Sequence, residues 1–165
     1  MFLTSVATVL ALVGGAAAAE AWVTFADMSF TAKDGSTTVA TGVADDPRHG
    51  WYQLAGRHYS TADFTVRDAK SDGRSAFADV VTDIDYYYCM PFAGGKCIPQ
   101  IRTKTVAIKS SERTSSRWSG SVSATWAPEP YTAVRSQFSI CIDIRFAPDK
   151  CDRESRKSSA SVYNG

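Results

Sequence analysis

The sequence predicts an all-β protein, a single antiparallel β-sandwich of about eight strands held by two disulfides. Alternating apolar and polar residues recur along the chain, which is typical of strands with one buried face. Turn-forming residues separate these stretches, and no segment keeps the 3.6-residue periodicity of an amphipathic helix. An antiparallel sandwich is therefore favoured over a βα alternation, with a closed barrel as the second choice.

Residues 1–21 predict a secretion signal. An uncharged apolar run from Phe2 to Val13 is followed by Gly14, Gly15 and four alanines. The run is too short to span a membrane, and the small residues before Glu20 and Trp22 suit signal peptidase. No basic residue precedes the run, which departs from the usual signal pattern. We expect a secreted, extracellular protein with no membrane span in its mature form.

The segment 22–151 is predicted to form the sandwich domain. Weaker alternation indicates strands over residues 22–31, 37–43, 50–54, 63–67 and 98–108. Asp34-Gly35, Asp45-Asp46-Pro47 and Ser71-Asp72-Gly73 are read as the turns between them. The stretch from Asp68 to Asp79 has partial EF-hand spacing, but Lys70 occupies a ligand position, so a hairpin turn is favoured.

Three segments alternate clearly: residues 76–90, 118–126 and 134–146. In the first of these strands the even-numbered residues are predicted to face the core, because Asp79, Asp83 and Asp85 occupy the other face. In the last strand Cys141 shares its face with the polar residues, so its disulfide is expected on the outer face of the sheet. Residues 152–165 are charged and serine-rich, which predicts a polar C-terminal tail.

The four cysteines, Cys89, Cys97, Cys141 and Cys151, are an even set in a chain predicted to be exported. Proximity favours pairing Cys89 with Cys97 and Cys141 with Cys151, although two other connectivities remain open. A zinc site is the rival interpretation, but exported cysteines rarely stay reduced and the chain has no CxxC pair. We predict no metal and no cofactor.

Net charge is +1, which gives no reason to expect a nucleic-acid partner. The charge is nevertheless uneven along the chain. Residues 20–95 hold 6 Lys+Arg and 11 Asp+Glu, a net −5, whereas residues 96–165 hold 12 and 6, a net +6. Either this asymmetry orients a partner, or the strands of the two halves interleave and the field cancels.

The sequence offers no convincing catalytic constellation, and we predict that the protein is not an enzyme. Asp83 and Asp85 are spaced closely enough to be a glycosidase pair, but a solvated acidic stripe explains them equally well. His49 and His58, the only histidines, lie outside any zinc-protease motif and are read as structural.

Aromatic residues are the best candidates for binding a partner. Tyr87 is expected on the outer face of its strand, and Phe92 lies in the loop between Cys89 and Cys97. Trp51 and Tyr52 are further candidates. Tyr, Trp and Phe supply a large contact area with few rotatable bonds, so they can anchor a protein or stack on a sugar ring. Ordinary core filling remains the alternative.

Two segments, from Phe64 to Gly73 and from Ile140 to Cys151, resemble small exported actinobacterial proteins. In those proteins a Val-x-Asp-x-Lys-x-Asp-Gly turn precedes later strands, and a cysteine strand is followed about ten residues on by a second cysteine. The resemblance covers about half of the mature chain. Some similar proteins look like adaptor subunits of umbrella toxins, secreted antibacterial particles in which they join a toxin-bearing chain to a lectin-bearing chain.

The function expected from these observations is a secreted, non-enzymatic protein-binding module. The resemblance implies an adaptor subunit in an extracellular toxin complex, with other secreted proteins as partners. A small carbohydrate or cell-wall binding module is the alternative, and a secreted protease inhibitor also fits a disulfide-closed loop. A hydrolase using Asp83, Asp85 or His58 ranks last.

Overall fold

The structure, a computed structural model, describes residues 22–52, 56–91, 95–144 and 147–159, without the side chains of Tyr52 and Ser159. The predicted signal at residues 1–21 lies outside them. The described chain forms nine strands: β1 Trp22–Thr24, β2 Met28–Asp34, β3 Thr37–Tyr52, β4 Arg57–Asp68, β5 Ala76–Pro91, β6 Cys97–Ser110, β7 Arg117–Trp126, β8 Ala133–Ile142 and β9 Lys150–Ser159. The all-β class is confirmed.

The strands form two antiparallel sheets. The first sheet has the order β1-β3-β4-β7, with β2 also paired to β3, and the second has the order β6-β5-β8-β9. Each sheet therefore mixes strands from both halves of the chain. The acidic and basic halves interleave in space, as the second of the two interpretations of the charge pattern predicted.

The core lies between the sheets and follows the predicted alternation. On β5 the even-numbered residues from Ala76 to Ile84 are buried, and Val80 and Ile84 are fully inaccessible to solvent. The neighbouring strand β8 contributes Phe138 and Ile140, and Phe64 of β4 in the other sheet packs on Phe138 with ring centroids 6.5 Å apart. Burying a side chain of this size stabilises the fold by roughly 1.5–3 kcal/mol.

The predicted turn at Asp45-Asp46-Pro47 is wrong. β3 runs through it, so the expected strands 37–43 and 50–54 are one strand. The pairing with β4 changes register between Asp45 and Arg48, and Asp46 has φ 47°, which identifies a bulge. Aspartate and proline suit a bulge as well as a turn, and only the partner strand distinguishes the two.

The boundary predicted at Cys151 is also wrong, because the sandwich extends beyond it. Residues that were assigned to a polar tail form most of β9, which pairs with β8 as far as Ser159. β9 is an edge strand with much of its surface in water, so a charged, serine-rich composition is compatible with it. Residues 160–165 lie outside the described part.

Both predicted disulfides are present, Cys89–Cys97 and Cys141–Cys151. Cys141 lies opposite Phe77 on the outer face of the second sheet, between the core residues Ile140 and Ile142. That face is not open to water here, because Cys141 and Phe77 are both buried. The guanidinium of Arg113 lies over the Phe77 ring, 4.9 Å from its centroid.

The segment from Ala69 to Ser75 is a crossover between the sheets and not the predicted hairpin, since β4 belongs to the first sheet and β5 to the second. Gly73 has φ 79°, as the predicted turn requires. Arg74 fixes the crossover by donating to Asp72 and, at 3.0 Å, to Asp34.

Within the described part of the chain, no helix has the length and apolar character needed to cross a membrane.

Candidate functional site

β5 and β6 project beyond the rest of the second sheet. The pairing of β5 with β8 ends at Asp85 opposite Ala133, whereas its pairing with β6 continues to Pro91 opposite Cys97. We call this two-stranded projection, Tyr86–Pro91 with Cys97–Arg102, the arm. The disulfide Cys89–Cys97 closes the arm near its tip. An isolated pair of strands is marginally stable in water, so this covalent link supports the projection.

The outer face of the arm is an exposed apolar patch. Tyr87 is 68% exposed and lies directly opposite Ile101, which is 61% exposed. Cys89 lies opposite Pro99 on the same face. An exposed tyrosine beside an exposed isoleucine on a rigid support has the composition of a protein-binding anchor.

The other face of the arm pairs tyrosines with cations. Arg102 lies 3.9 Å from the centroid of the Tyr88 ring, and the ammonium of Lys104 lies 5.2 Å from that of Tyr86. Lys104 also forms an ion pair with Glu129 of the loop between β7 and β8. The Arg102–Tyr88 contact joins the two strands of the arm, and the Lys104–Glu129 pair links the base of the arm to the loop between β7 and β8.

The acidic row of β5 is bound by hydroxyl groups of β6. Asp85 accepts from Thr103 Oγ1 at 2.7 Å, Asp83 accepts from Thr105 Oγ1 at 2.7 Å, and Asp79 accepts from Ser110 Oγ at 3.0 Å. The row therefore ties the two strands of the hairpin together along its length. Asp83 and Asp85, the pair considered for glycoside hydrolysis, thus both take part in contacts between β5 and β6.

Asp85 carries the strongest of these interactions. Its carboxylate also accepts from Lys157 Nζ at 2.9 Å and lies 3.6 Å from Arg135 Nη2. The hydrogen bonds from Lys157 and Thr103 hold the pKa of Asp85 below its usual range. Burial instead raises the pKa of Asp79. Asp85 is thus an ionised structural anchor that joins β5, β6, β8 and β9.

Both histidines are buried. His49 is fully inaccessible, its Nδ1 lies 2.7 Å from Ser158 Oγ, and its ring packs edge-on against Phe25. Burial lowers the pKa of His49 to about 3, so the imidazole is neutral in the native state. A group closed off from solvent in this way cannot reach a substrate.

His58 belongs to an aromatic cluster at the end of the sandwich near the arm. Its ring stacks on Trp126 at 5.4 Å between centroids, and its Nδ1 lies 3.1 Å from the Tyr131 hydroxyl. Burial lowers the pKa of His58, and the nearby Glu129 carboxylate opposes this shift. The predicted binding residue Trp51 is part of the cluster, partly buried with its ring 4.4 Å from that of His58.

Among the four predicted binding residues, the structure places Tyr87 on the exposed patch and Trp51 in the aromatic cluster, so it does not bring them together. The Tyr52 side chain and Phe92 lie outside the described residues.

No group of three or more His, Cys, Asp or Glu side chains suited to a metal ion occurs among residues 22–52, 56–91, 95–144 and 147–159.

Sequence reasoning missed the isoleucines of β6. Ile98, Ile101 and Ile108 are 41%, 61% and 66% exposed. In the sequence these isoleucines do not fall on alternate positions, as the residues of one buried strand face would. This irregular pattern was the signal that β6 lacks a normal buried face. Their exposure depends on β6 being an edge strand, and sheet order cannot be read from the sequence.

The chain matches no protein-family model and no curated protein.

Proposed function

We propose that this protein is a secreted, non-enzymatic protein-binding module, and that it serves as a structural adaptor joining other chains in an extracellular complex. The observation that supports this most strongly is the arm, with Tyr87 and Ile101 exposed side by side on a projection closed by the Cys89–Cys97 disulfide. Two disulfides are suited to an oxidising, extracellular setting.

The construction of the arm favours binding. A disulfide and cross-strand contacts restrict the arm before it meets a partner, so less conformational entropy is lost on association. Tyr87 presents an aromatic ring with only two side-chain torsions to immobilise. A projecting hairpin can also enter a concave surface that a flat sheet cannot reach.

The resemblance of the segments Phe64–Gly73 and Ile140–Cys151 to exported actinobacterial proteins supports a more specific proposal. On that basis the complex is an antibacterial toxin particle, and the partners are a toxin-bearing chain and a lectin-bearing chain. The buried, paired state of Asp85 and the buried state of His49 are consistent with a role that requires no catalytic group.

The test is affinity purification of the tagged protein from its native culture fluid, followed by sizing of the complex and mass spectrometry of co-eluting chains. A large particle with stoichiometric partners is the expected result. A lone monomer would contradict the adaptor proposal. It would favour the alternatives, glycan binding and protease inhibition.

A pair of matched variants tests the role of the arm. Tyr87→Ser with Ile101→Ser should abolish partner recovery, because it removes the apolar patch. Trp22→Ser is the control, since Trp22 is also an exposed apolar residue but lies on β1 at the edge of the first sheet, outside both the arm and β6. Equal recovery with both proteins would show that the arm is not the contact.

A further inference from the structure

β6 is an open edge of the second sheet. In the described part of the chain it pairs with β5 alone, and every residue except Gln100, Val106 and Ala107 is exposed. The opposite edge of the same sheet is approached by β2, where Thr31 N donates to Asp152 Oδ2 at 2.7 Å. Edge strands carry a row of backbone N–H and C=O groups available to another strand.

The two faces of β6 carry different chemistry. Ile101, Thr103, Thr105 and Ile108 lie opposite the outward residues of β5, whereas Arg102, Lys104 and Lys109 lie opposite Tyr86, Ile84 and Val80 on the inward side. An incoming strand would therefore meet apolar and hydroxyl side chains on one face and cations on the other. Because successive residues of a strand point to opposite faces, a complementary strand alternates apolar with acidic residues.

The charge of this edge has one sign. Residues 96–111 contain four Lys and Arg and neither Asp nor Glu. Lys104 has the Glu129 carboxylate beside it, but pairing the β6 edges of two copies would also bring Arg102 and Lys109 together, and like charges are unfavourable when directly opposed. The edge thus disfavours a second copy of this chain and favours an acidic partner.

We propose that the β6 edge binds an extended segment of a partner chain in which acidic and apolar residues alternate, adding a fifth strand to the second sheet. This inference rests on the proposed function and specifies the chemistry of the partner. The exposed isoleucines Ile101 and Ile108 are then covered by the apolar face of the added strand, and Arg102 and Lys109 face its carboxylates.

Peptide titration tests the edge directly. The probe is a synthetic peptide of about twelve residues alternating Glu with Val and Thr, added to the isotope-labelled protein and followed by amide chemical shifts. Shifts confined to β6 and its neighbour β5 are expected, and they should disappear when alternate peptide nitrogens are methylated. Binding by the matched peptide with Lys in place of Glu, or no shift with the acidic peptide, would overturn the proposal.

Capture of the native partner separates this inference from the proposed function. Lys109→Glu should weaken capture by about tenfold, because it places a like charge against the acidic segment. Lys150→Glu is the control, since Lys150 is exposed on the opposite edge of the same sheet and should leave capture unchanged. Recovery of a partner with no effect of Lys109→Glu would sustain the adaptor role and refute β6 pairing, whereas recovery of no partner would refute the adaptor role itself.

Discussion

Gly42 shows how a single residue sets the distance between the sheets. A Cβ atom at this position would lie 2.1 Å from the backbone oxygen of Thr65 and 2.4 Å from Cδ1 of Ile140 in the opposite sheet. Real Cβ contacts are never so short, and a backbone oxygen cannot move as a side-chain end can. The absence of a side chain is therefore required for Ile140 to pack fully against β3.

Gly42→Ala is expected to destabilise the fold by about 1–3 kcal/mol, the usual cost of overpacking a core. Urea unfolding of the variant measures this loss. Thr41→Ala, at the neighbouring and partly exposed position, is the control and should change stability by less than about 0.5 kcal/mol. Equal free energies of unfolding for wild type and Gly42→Ala would contradict this prediction, because they would show that the two sheets can accommodate a Cβ atom at this position without loss of stability.

His49 should make stability depend on pH. Its pKa is lowered from 6.5 to about 3 in the native state, so below pH 6.5 the unfolded chain binds a proton that the native protein does not. Stability is therefore complete above pH 6.5 and falls as the pH drops toward 3, by up to about 1.4 kcal/mol per pH unit.

The comparison that isolates this contribution is wild type against His49→Gln. Between pH 7.5 and 4.5 the wild type should lose about 2–3 kcal/mol more unfolding free energy than the variant. Other titrating groups, including His58, are present in both proteins and cancel in the difference. Parallel pH profiles in denaturant unfolding would mean that His49 titrates normally in the native protein.

The two disulfides act on different elements. Cys89–Cys97 closes the arm, which pairs with no strand of the sandwich body among the residues that the structure describes. Cys141–Cys151 joins β8 to β9 within the sheet and has one buried cysteine. Local opening can free the arm without unfolding the core, but β9 cannot separate from β8 without disrupting the sheet that encloses the core.

Replacing Cys89 and Cys97 with serine should accelerate hydrogen exchange in the arm by about tenfold or more and leave the sandwich amides unchanged. Replacing Cys141 and Cys151 is the matched comparison and should reduce global stability by about 2–4 kcal/mol. If the arm variant unfolds globally at much lower denaturant, the arm is part of the cooperative core.

At the scale of the whole molecule, opposite charges meet because the two halves of the chain interleave. Asp85 from the acidic half binds Lys157 and lies beside Arg135, both from the basic half. Along β6 the cations lie at an edge that no further strand covers in the described part of the chain, and Glu129 of the β7–β8 loop pairs with Lys104. The charge difference between the two halves of the chain is thus largely offset where their strands lie side by side, whereas an excess of positive charge remains along the β6 edge.

The proposed export predicts a mature protein that contains both disulfides and lacks the first 19 or 21 residues. Intact mass spectrometry of the native product, before and after reduction and alkylation, should show four alkylation sites only after reduction. Free thiols in the native product, or a chain that retains residues 1–21, would contradict the predicted export.

Local sequence patterns were enough to predict the all-β class, the two cysteine pairs and the buried faces of β5, β7 and β8. These features are local, because side-chain alternation and short cysteine separations depend only on residues that are close in sequence. The charged, serine-rich composition of β9 and the Asp45-Asp46-Pro47 bulge were misread because each is compatible with more than one local structure.

The assembled fold was needed to see which strands lie at the edges, how far β5 and β6 project, and which aromatic residues remain exposed. Tyr87 and Trp51 are similar in sequence terms, yet one stands 68% exposed on the arm and the other packs on His58. Exposure depends on what the rest of the chain places over a residue. Such long-range pairing is set by the free energy of the assembled sheets, which no local pattern contains.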